Sequence, residues 1–258
     1  MSRATSVIGA VALSAPALRA DSVRSALAPL RGALMPRVAG QGRPGHVALT
    51  FDDGPDQLST PRFLRILEAR GVHATFFLLG SQLARNRSLA KEMAAAGHEL
   101  AIHGWDHRPL LLRGPRATRE DLARACDLLG ETTGQAPRWF RPPYGVMSTS
   151  ARLACRKVGL TPVLWTTWGQ HWRSRAAPRT LYDTAAPDPA GGSTILLHDA
   201  DTASAVGSWK PDLHALPALL DACEQRGLAV GPLRDHQPSH PATDESTMTL
   251  QHDLSQRR

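Results

Sequence analysis

Apolar residues in this chain fall in short runs separated by amphipathic stretches. The runs at residues 46–51, 73–79, 99–103, 138–141, 161–166, 193–198 and 228–232 have the length and the aliphatic or aromatic content of strands. Helical spacing fills most of the gaps. Phe63, Ile66, Leu67 and Arg70 recur at helical intervals and stop at Gly71. A second pattern runs over 83–96 to Gly97, and a third, through Leu122, Ala125, Cys126 and Leu129, ends near Gly130. Glycine just after the last periodic residue is a helix stop signal. Strand–helix alternation at this spacing predicts a parallel sheet, either open or closed into a barrel.

The polar residues decide between these two forms. Asp52 and Asp53, His103, Arg141 and His198 each stand at the C-terminal end of a predicted strand. In α/β barrels that rim is where reactive side chains gather. An open doubly wound sheet would call for a Gly-rich phosphate loop, which the sequence lacks. The expected fold class is therefore α/β, a distorted (β/α) barrel of about seven strands.

Composition narrows the function classes. The 258 residues carry a net charge of +7 from arginines spread along the chain, with no basic stripe interleaved with aromatics. Nucleic acid is not the expected partner; a basic surface would suit an anionic polymer such as a cell wall. No apolar run is long enough to span a bilayer. Cys126, Cys155 and Cys223 are odd in number and widely spaced, which argues against a disulfide framework and a zinc–thiolate site and for small buried hydrophobes. At the N-terminus, Arg3, an apolar stretch at 7–14 and Ala15-Pro16-Ala17 imitate a signal peptide, but an Ala/Leu/Arg helical pattern continues over 17–38. A helical extension on a cytoplasmic protein is the reading taken, with secretion as its alternative. The Pro/Ser/Thr-rich tail reads as disordered.

Two motifs carry the chemistry. Thr50-Phe51-Asp52-Asp53-Gly54-Pro55 places two acids directly after an apolar strand, and His103-Gly104-Trp105-Asp106-His107 places two imidazoles four residues apart. A turn would explain Gly54-Pro55 but not the two acids. One carboxylate and two imidazoles suit a divalent metal with an open coordination position. The neighbouring carboxylate is placed to take a proton from water. The zinc-protease pattern needs Glu immediately after the first histidine, and Gly104 excludes it. A non-haem iron oxygenase also uses two His and one carboxylate, but leaves Asp52, Arg141 and His198 without a task. Arg141-Pro142-Pro143-Tyr144-Gly145 is a stiff turn able to hold a backbone N–H toward a reacting centre or simply to rigidify a loop. His198, closing the strand Ile195-Leu196-Leu197, is either a general acid or a structural histidine.

Taken in order, TFDDGP, HxxxH, RPPYG and the LLH strand end make residues 46–235 resemble the polysaccharide deacetylases with NodB homology, carbohydrate esterase family four. The resemblance implies the NodB-homology barrel and a metal-dependent hydrolase. It would remove N-acetyl groups from a peptidoglycan- or chitin-type polymer by attack of metal-bound water. It implies Asp53, His103 and His107 as ligands of a divalent metal, zinc first, with cobalt, manganese, nickel or iron as alternatives. Asp52 would be the base, His198 the acid, Arg141 the partner of Asp52, and the Tyr144 N–H an oxyanion donor. Trp172, Leu196 and Pro143 would line the substrate pocket. The chain then divides into an extension (1–45), a catalytic domain (46–235) and a tail (236–258).

Two departures stand out. Gly104 replaces the Ser or Thr that such proteins usually carry, which predicts a looser loop with both ligands retained. His171, in Trp168-Gly169-Gln170-His171-Trp172, replaces an Asp that orients the acid histidine, which removes charge support from His198. Three outcomes stay open: reduced activity, activity at a shifted pH, or reliance on Asp199 or Asp201 instead. The alternatives are a hydrolase of O-acetyl glycans or small cyclic amides on the same fold, or a catalytically weakened glycan-binding relative.

Overall fold

The computed structural model describes residues 38–168 and 189–237. Its frame is a parallel sheet of eight short strands: β1 (His46–Asp52), β2 (Thr75–Leu78), β3 (Glu99–Ile102), β4 (Trp139–Phe140), β5 (Thr161–Pro162), β6 (Thr167–Trp168), β7 (Thr194–His198) and β8 (Ala229–Gly231). The order is β5-β4-β3-β2-β1-β7-β6. β8 pairs with the first half of β1, on the edge that β2 occupies higher up. The two end strands belong to one extended segment, 161–168. Its amides bond to Arg138 and Phe140 at one end and to Thr194 at the other, so the sheet curls back on itself through this segment. Counting it once gives seven strands, as the sequence predicts. The predicted run 161–166 is divided in two because the chain passes from β4 to β7 midway.

Helices α1 (Thr60–Ala69), α2 (Gly80–Arg85), α3 (Arg87–Ala95), α4 (Pro115–Thr133), α5 (Thr149–Lys157), α6 (Lys210–Gln225) and α7 (Leu233–His236) complete the described elements, with 3-10 turns at Leu110–Leu112 and Pro143–Gly145. Two helix boundaries differ from the sequence reading. The helix expected over 83–96 is broken at Asn86, whose backbone leaves helical geometry (φ −128°) while its side-chain Nδ2 donates to the Pro55 carbonyl at 2.8 Å. The tertiary bond to the site loop outweighs continuous helical periodicity. The helix expected to end near Gly130 runs on to Gly134, where φ of +73° makes the stop that glycine accepts without a Cβ clash. Cys126, Cys155 and Cys223 are free thiols in α4, α5 and α6, the last two buried.

Alternation along the strands creates two packed layers. Val47, Leu49 and Phe51 of β1 join Phe76, Leu78, Leu100, Ile102, Phe140, Ile195 and Leu197 in a large outer cluster against the helices. The intervening residues face inward: Ala48, Phe77, Ala101, Trp139 and Val163 form a small inner cluster with Leu233 of α7. The lower end is closed by polar bonds, with Glu99 accepting from Thr75 Oγ1 (2.6 Å) and Trp139 Nε1 (2.9 Å), and Thr75 Oγ1 accepting from Leu233 N (2.8 Å). Residues 38–41 are tied in as well: Val38 and Gly40 carbonyls accept from Leu164 N and Thr194 Oγ1. With the interior filled below, the same inward rows end above in Asp52, His103, Arg141 and His198. No described helix is long and apolar enough to cross a membrane. Residues 1–37 of the predicted extension and the tail from 238 onward lie outside the described residues.

Candidate active site

Asp52 closes β1, and Asp53 follows it with a left-handed backbone (φ +79°). Continued strand geometry would send the two carboxylates to opposite faces. The left-handed turn brings them together instead. Asp52 Oδ2 lies 3.7 Å and Asp53 Oδ1 3.6 Å from Nε2 of His103, and Asp53 Oδ1 lies 3.5 Å from Nε2 of His107. Gly54 comes next because a Cβ there would overlap the Asp199 carboxylate.

The two histidines meet in a loop rather than on a helical turn. Gly104 (φ +91°) and His107 (φ +58°) fold it back so that the ring centroids are 4.9 Å apart. His103 Nδ1 is 2.8 Å from the Arg141 carbonyl, which can only accept, so Nδ1 carries the proton and Nε2 is left as the free donor atom. The loop has the support the sequence did not reveal: Asp121 of α4 accepts the Trp105 N–H at 3.0 Å, and Arg113 joins the carboxylates of Asp121 and Asp106. At the φ of Gly104 a Ser or Thr would be strained.

Arg141 is wholly buried. Its Nη1 donates to Asp52 Oδ1 (2.7 Å) and Thr50 Oγ1 (2.8 Å), and its Nη2 to the Leu164 carbonyl (3.1 Å), with the guanidinium over the Phe77 ring. The pair fixes one oxygen of Asp52 and leaves the other facing His103. Pro143 is buried at the turn that follows, and Tyr144 (φ +59°) lays its ring edge-on to His107 at 4.6 Å. Asp53, His107 and Tyr144 are the non-glycine residues with positive φ among the described residues. All three lie here, which is where backbone strain is stored when position matters.

Leu196 is buried on β7, two residues before His198 and out of register with the outer-cluster residues Ile195 and Leu197. His198 is partly exposed. The carboxylate beside it is neither Asp199 nor Asp201: Asp199 accepts from Thr60 Oγ1 at 2.5 Å, and Asp201 from Gly207 N at 2.6 Å. It is Asp212 of α6, with Oδ2 3.7 Å from Nδ1 and 2.7 Å from the backbone N of His198. It lies fourteen residues past His198, yet an Asp in the first turn of a helix ordinarily reads as a helix-start residue. His171 and Trp172 lie outside the described residues.

Electrostatics agree with the geometry. Burial, then the nearby His103 and His198, press His107 down to about 2, so its ring is neutral and able to ligate. Burial pushes the Asp53 carboxyl up, against the pull of His198 and His103. Burial would lower His198, but Asp212, Asp53 and Asp52 outweigh it and raise the ring to about 9.

Asp53, His103 and His107 are the group among the described residues that can hold an ion, their donor atoms all lying within 4.8 Å of one another. Tetrahedral bonds of about 2.0–2.2 Å place donors roughly 3.3–3.6 Å apart, the carboxylate–imidazole separations seen. Asp53 Oδ1 is buried with no hydrogen-bond partner. A carboxylate oxygen left without a donor between two imidazole nitrogens is costly unless a cation occupies the centre. The residues fit a divalent metal.

The profile of the family described as Polysaccharide deacetylase matches residues 39–163. A chitooligosaccharide deacetylase of Bradyrhizobium sp. (strain ANU 289) is 33% identical over 195 residues, covering 72% of this chain and 88% of the relative. Among solved structures, the Bc1960 peptidoglycan N-acetylglucosamine deacetylase superimposes with a TM-score of 0.69 at 27% identity, over 78% of this chain and 92% of that one. A mutant of BA3943, a CE4 family pseudoenzyme with restored enzymatic activity, gives 0.66 at 26% identity, over 76% and 69%.

Proposed function

The chain belongs to the polysaccharide deacetylase family, and from that premise we propose that it hydrolyses N-acetyl groups from an N-acetylated polysaccharide of chitin or peptidoglycan type. One observation carries this reading. Asp52 Oδ2, with its other oxygen held by Arg141, stands beside the Asp53–His103–His107 cluster on the rim where His198 is partly exposed.

Asp53 Oδ1 and the two Nε2 atoms would hold a divalent ion, zinc in the first place, and such an ion supplies Lewis-acid polarisation and lowers the pKa of a water. Asp52 then acts as general base, its Oδ2 taking the proton of the water that attacks the acetamide carbon. Arg141 holds Oδ1 in place so that the second oxygen is presented without rotamer freedom. As the carbonyl oxygen gains charge, the backbone N–H of Tyr144, set in its left-handed turn by the adjoining prolines, donates to it. His198 Nε2 delivers a proton to the amine nitrogen as the C–N bond breaks. Leu196 and Pro143 would wall the acetyl methyl, and Trp172 would complete that wall from outside the described residues. The basic charge of the chain favours a polymer with anionic groups.

Acetate release from chitin hexasaccharide and from peptidoglycan by the zinc-loaded protein tests the reading. Release from either supports it. Turnover of O-acetyl xylan or a cyclic imide alone would transfer the activity to another substrate. Saccharide binding without any acetate release would leave a glycan-binding relative and overturn the enzymatic reading.

A further inference from the structure

His198 keeps 24% of its side-chain surface exposed at the end of β7, while the carboxylate its Nδ1 faces, Asp212, has none. Asp212 stands in the first turn of α6, a 16-residue helix packed against the sheet from outside the predicted motifs. One of its oxygens does two things. Oδ2 accepts the backbone N–H of His198 at 2.7 Å, which ties the strand end to the helix, and it lies 3.7 Å from Nδ1 of the same residue. The second distance is that of an ion pair with the ring. A carboxylate buried this completely needs donating neighbours, and the backbone N–H and ring Nδ1 of His198 both face it. Among the described residues, the other titratable groups that act on His198 are Asp52 and Asp53 at the end of β1 and His107 in the loop after β3, all of them in the reacting site itself.

We propose that Asp212 is the positioning residue for His198, holding the proton on Nδ1 and turning the ring so that Nε2 serves the departing amine. The inference rests on the reading of His198 as proton donor. The proton transferred comes from Nε2 and ends on the amine nitrogen as the C–N bond breaks; the Nδ1 proton stays on the ring beside Asp212. The carboxylates nearer in sequence are engaged elsewhere, Asp199 with Thr60 and Asp201 with Gly207. A helix one loop further along the chain thus supplies the charge.

Asp212→Asn is the informative variant, because its side-chain oxygen can still accept the His198 N–H while the charge is gone. Wild type, Asp212→Asn and His198→Ala, each zinc-loaded, are compared on chitin hexasaccharide and on p-nitrophenyl acetate, whose phenolate leaves without a proton. We expect Asp212→Asn to lower kcat on the acetamide by about 10²–10⁴-fold with KM changed less than about threefold, and turnover of the ester by less than about tenfold. Zinc content should stay at the wild-type level. Equal losses on both substrates, or undiminished acetamide turnover, would overturn the proposal. Undiminished acetamide turnover by His198→Ala would overturn the proton-donor reading along with it, and so separates the two failures. Should Asp212→Asn not fold, nitrogen-15 NMR of wild-type protein decides, using the ring signals lost in His198→Ala: a protonated Nδ1 supports the proposal, a bare Nδ1 with Nε2 protonated ends it.

Discussion

Asp52 and Asp53 are neighbours in the chain, yet their carboxylates converge on one imidazole nitrogen, 3.7 Å and 3.6 Å from Nε2 of His103. The convergence depends on the left-handed backbone of Asp53. Only Asp52 is paired with Arg141, so two adjacent acids have different surroundings and separable tasks.

Separable tasks predict separable losses. Asp53→Ala should abolish both bound zinc and acetate release. Asp52→Asn should retain zinc while acetate release falls on the order of 10²–10⁴-fold. Metal analysis by mass spectrometry, run beside the acetate assay, checks this. Equal zinc loss in both variants would remove the distinction.

Arg141 is wholly buried and Asp52 nearly so. Replacing Arg141 with Met would leave the carboxylate buried without its cation, a change that costs about 3–5 kcal/mol when a buried pair is broken. Urea unfolding of Arg141→Met should therefore show a lower midpoint than wild type with an unchanged slope. Asp52→Asn/Arg141→Met should recover part of the loss, since the uncompensated charge is removed too.

Asp121 touches neither histidine, but it holds the loop between them through the Trp105 N–H and Arg113. Asp121→Ala should weaken zinc binding by about 10–100-fold, the usual effect of removing an outer support of a metal site. Competition with a zinc chelator measures it. Gly104→Ser should not tighten binding, because a side chain at φ +91° introduces strain where Asp121 already supplies the restraint.

At the opposite end of the barrel, His46 Nδ1 and His236 Nδ1 are 3.0 Å apart and both rings are buried, so one proton is shared between them. Burial, then the neighbouring His46, lowers His236 to about 4, and burial with Arg43 lowers His46 as well. A histidine whose folded pKa lies below its unfolded value of about 6.5 binds fewer protons folded than unfolded between those pH values, so its stabilising contribution is lost as pH falls through that window. Relative to His236→Gln, which does not titrate there, the wild-type melting temperature should drop between pH 6.5 and 4. A constant difference across that range would mean that the pair is not coupled to folding.

Much of this was legible beforehand because it depends on local chemistry. Apolar runs of strand length marked β1, β2, β3 and β7 to within a few residues, and the acids, imidazoles and arginine stood at strand ends because alternation and strand length place them there. Glycines mislead where packing has the last word: Gly130 passes inside α4, and Asn86 breaks a periodic helix to reach Pro55. Asp121 and Asp212 were invisible as site residues, since each reads as an ordinary polar position on a helix.

Sequence alone determined which side chains the barrel rim would present, because a strand's period of two and its end point are properties of the chain itself. Tertiary structure decided how those side chains meet. The left-handed turns at Asp53 and His107, the closing of the sheet through residues 161–168, and the carboxylates of Asp121 and Asp212 arriving from separate helices all depend on contacts between segments far apart in the chain. Their energies arise only once distant elements pack together, so no local pattern encodes them.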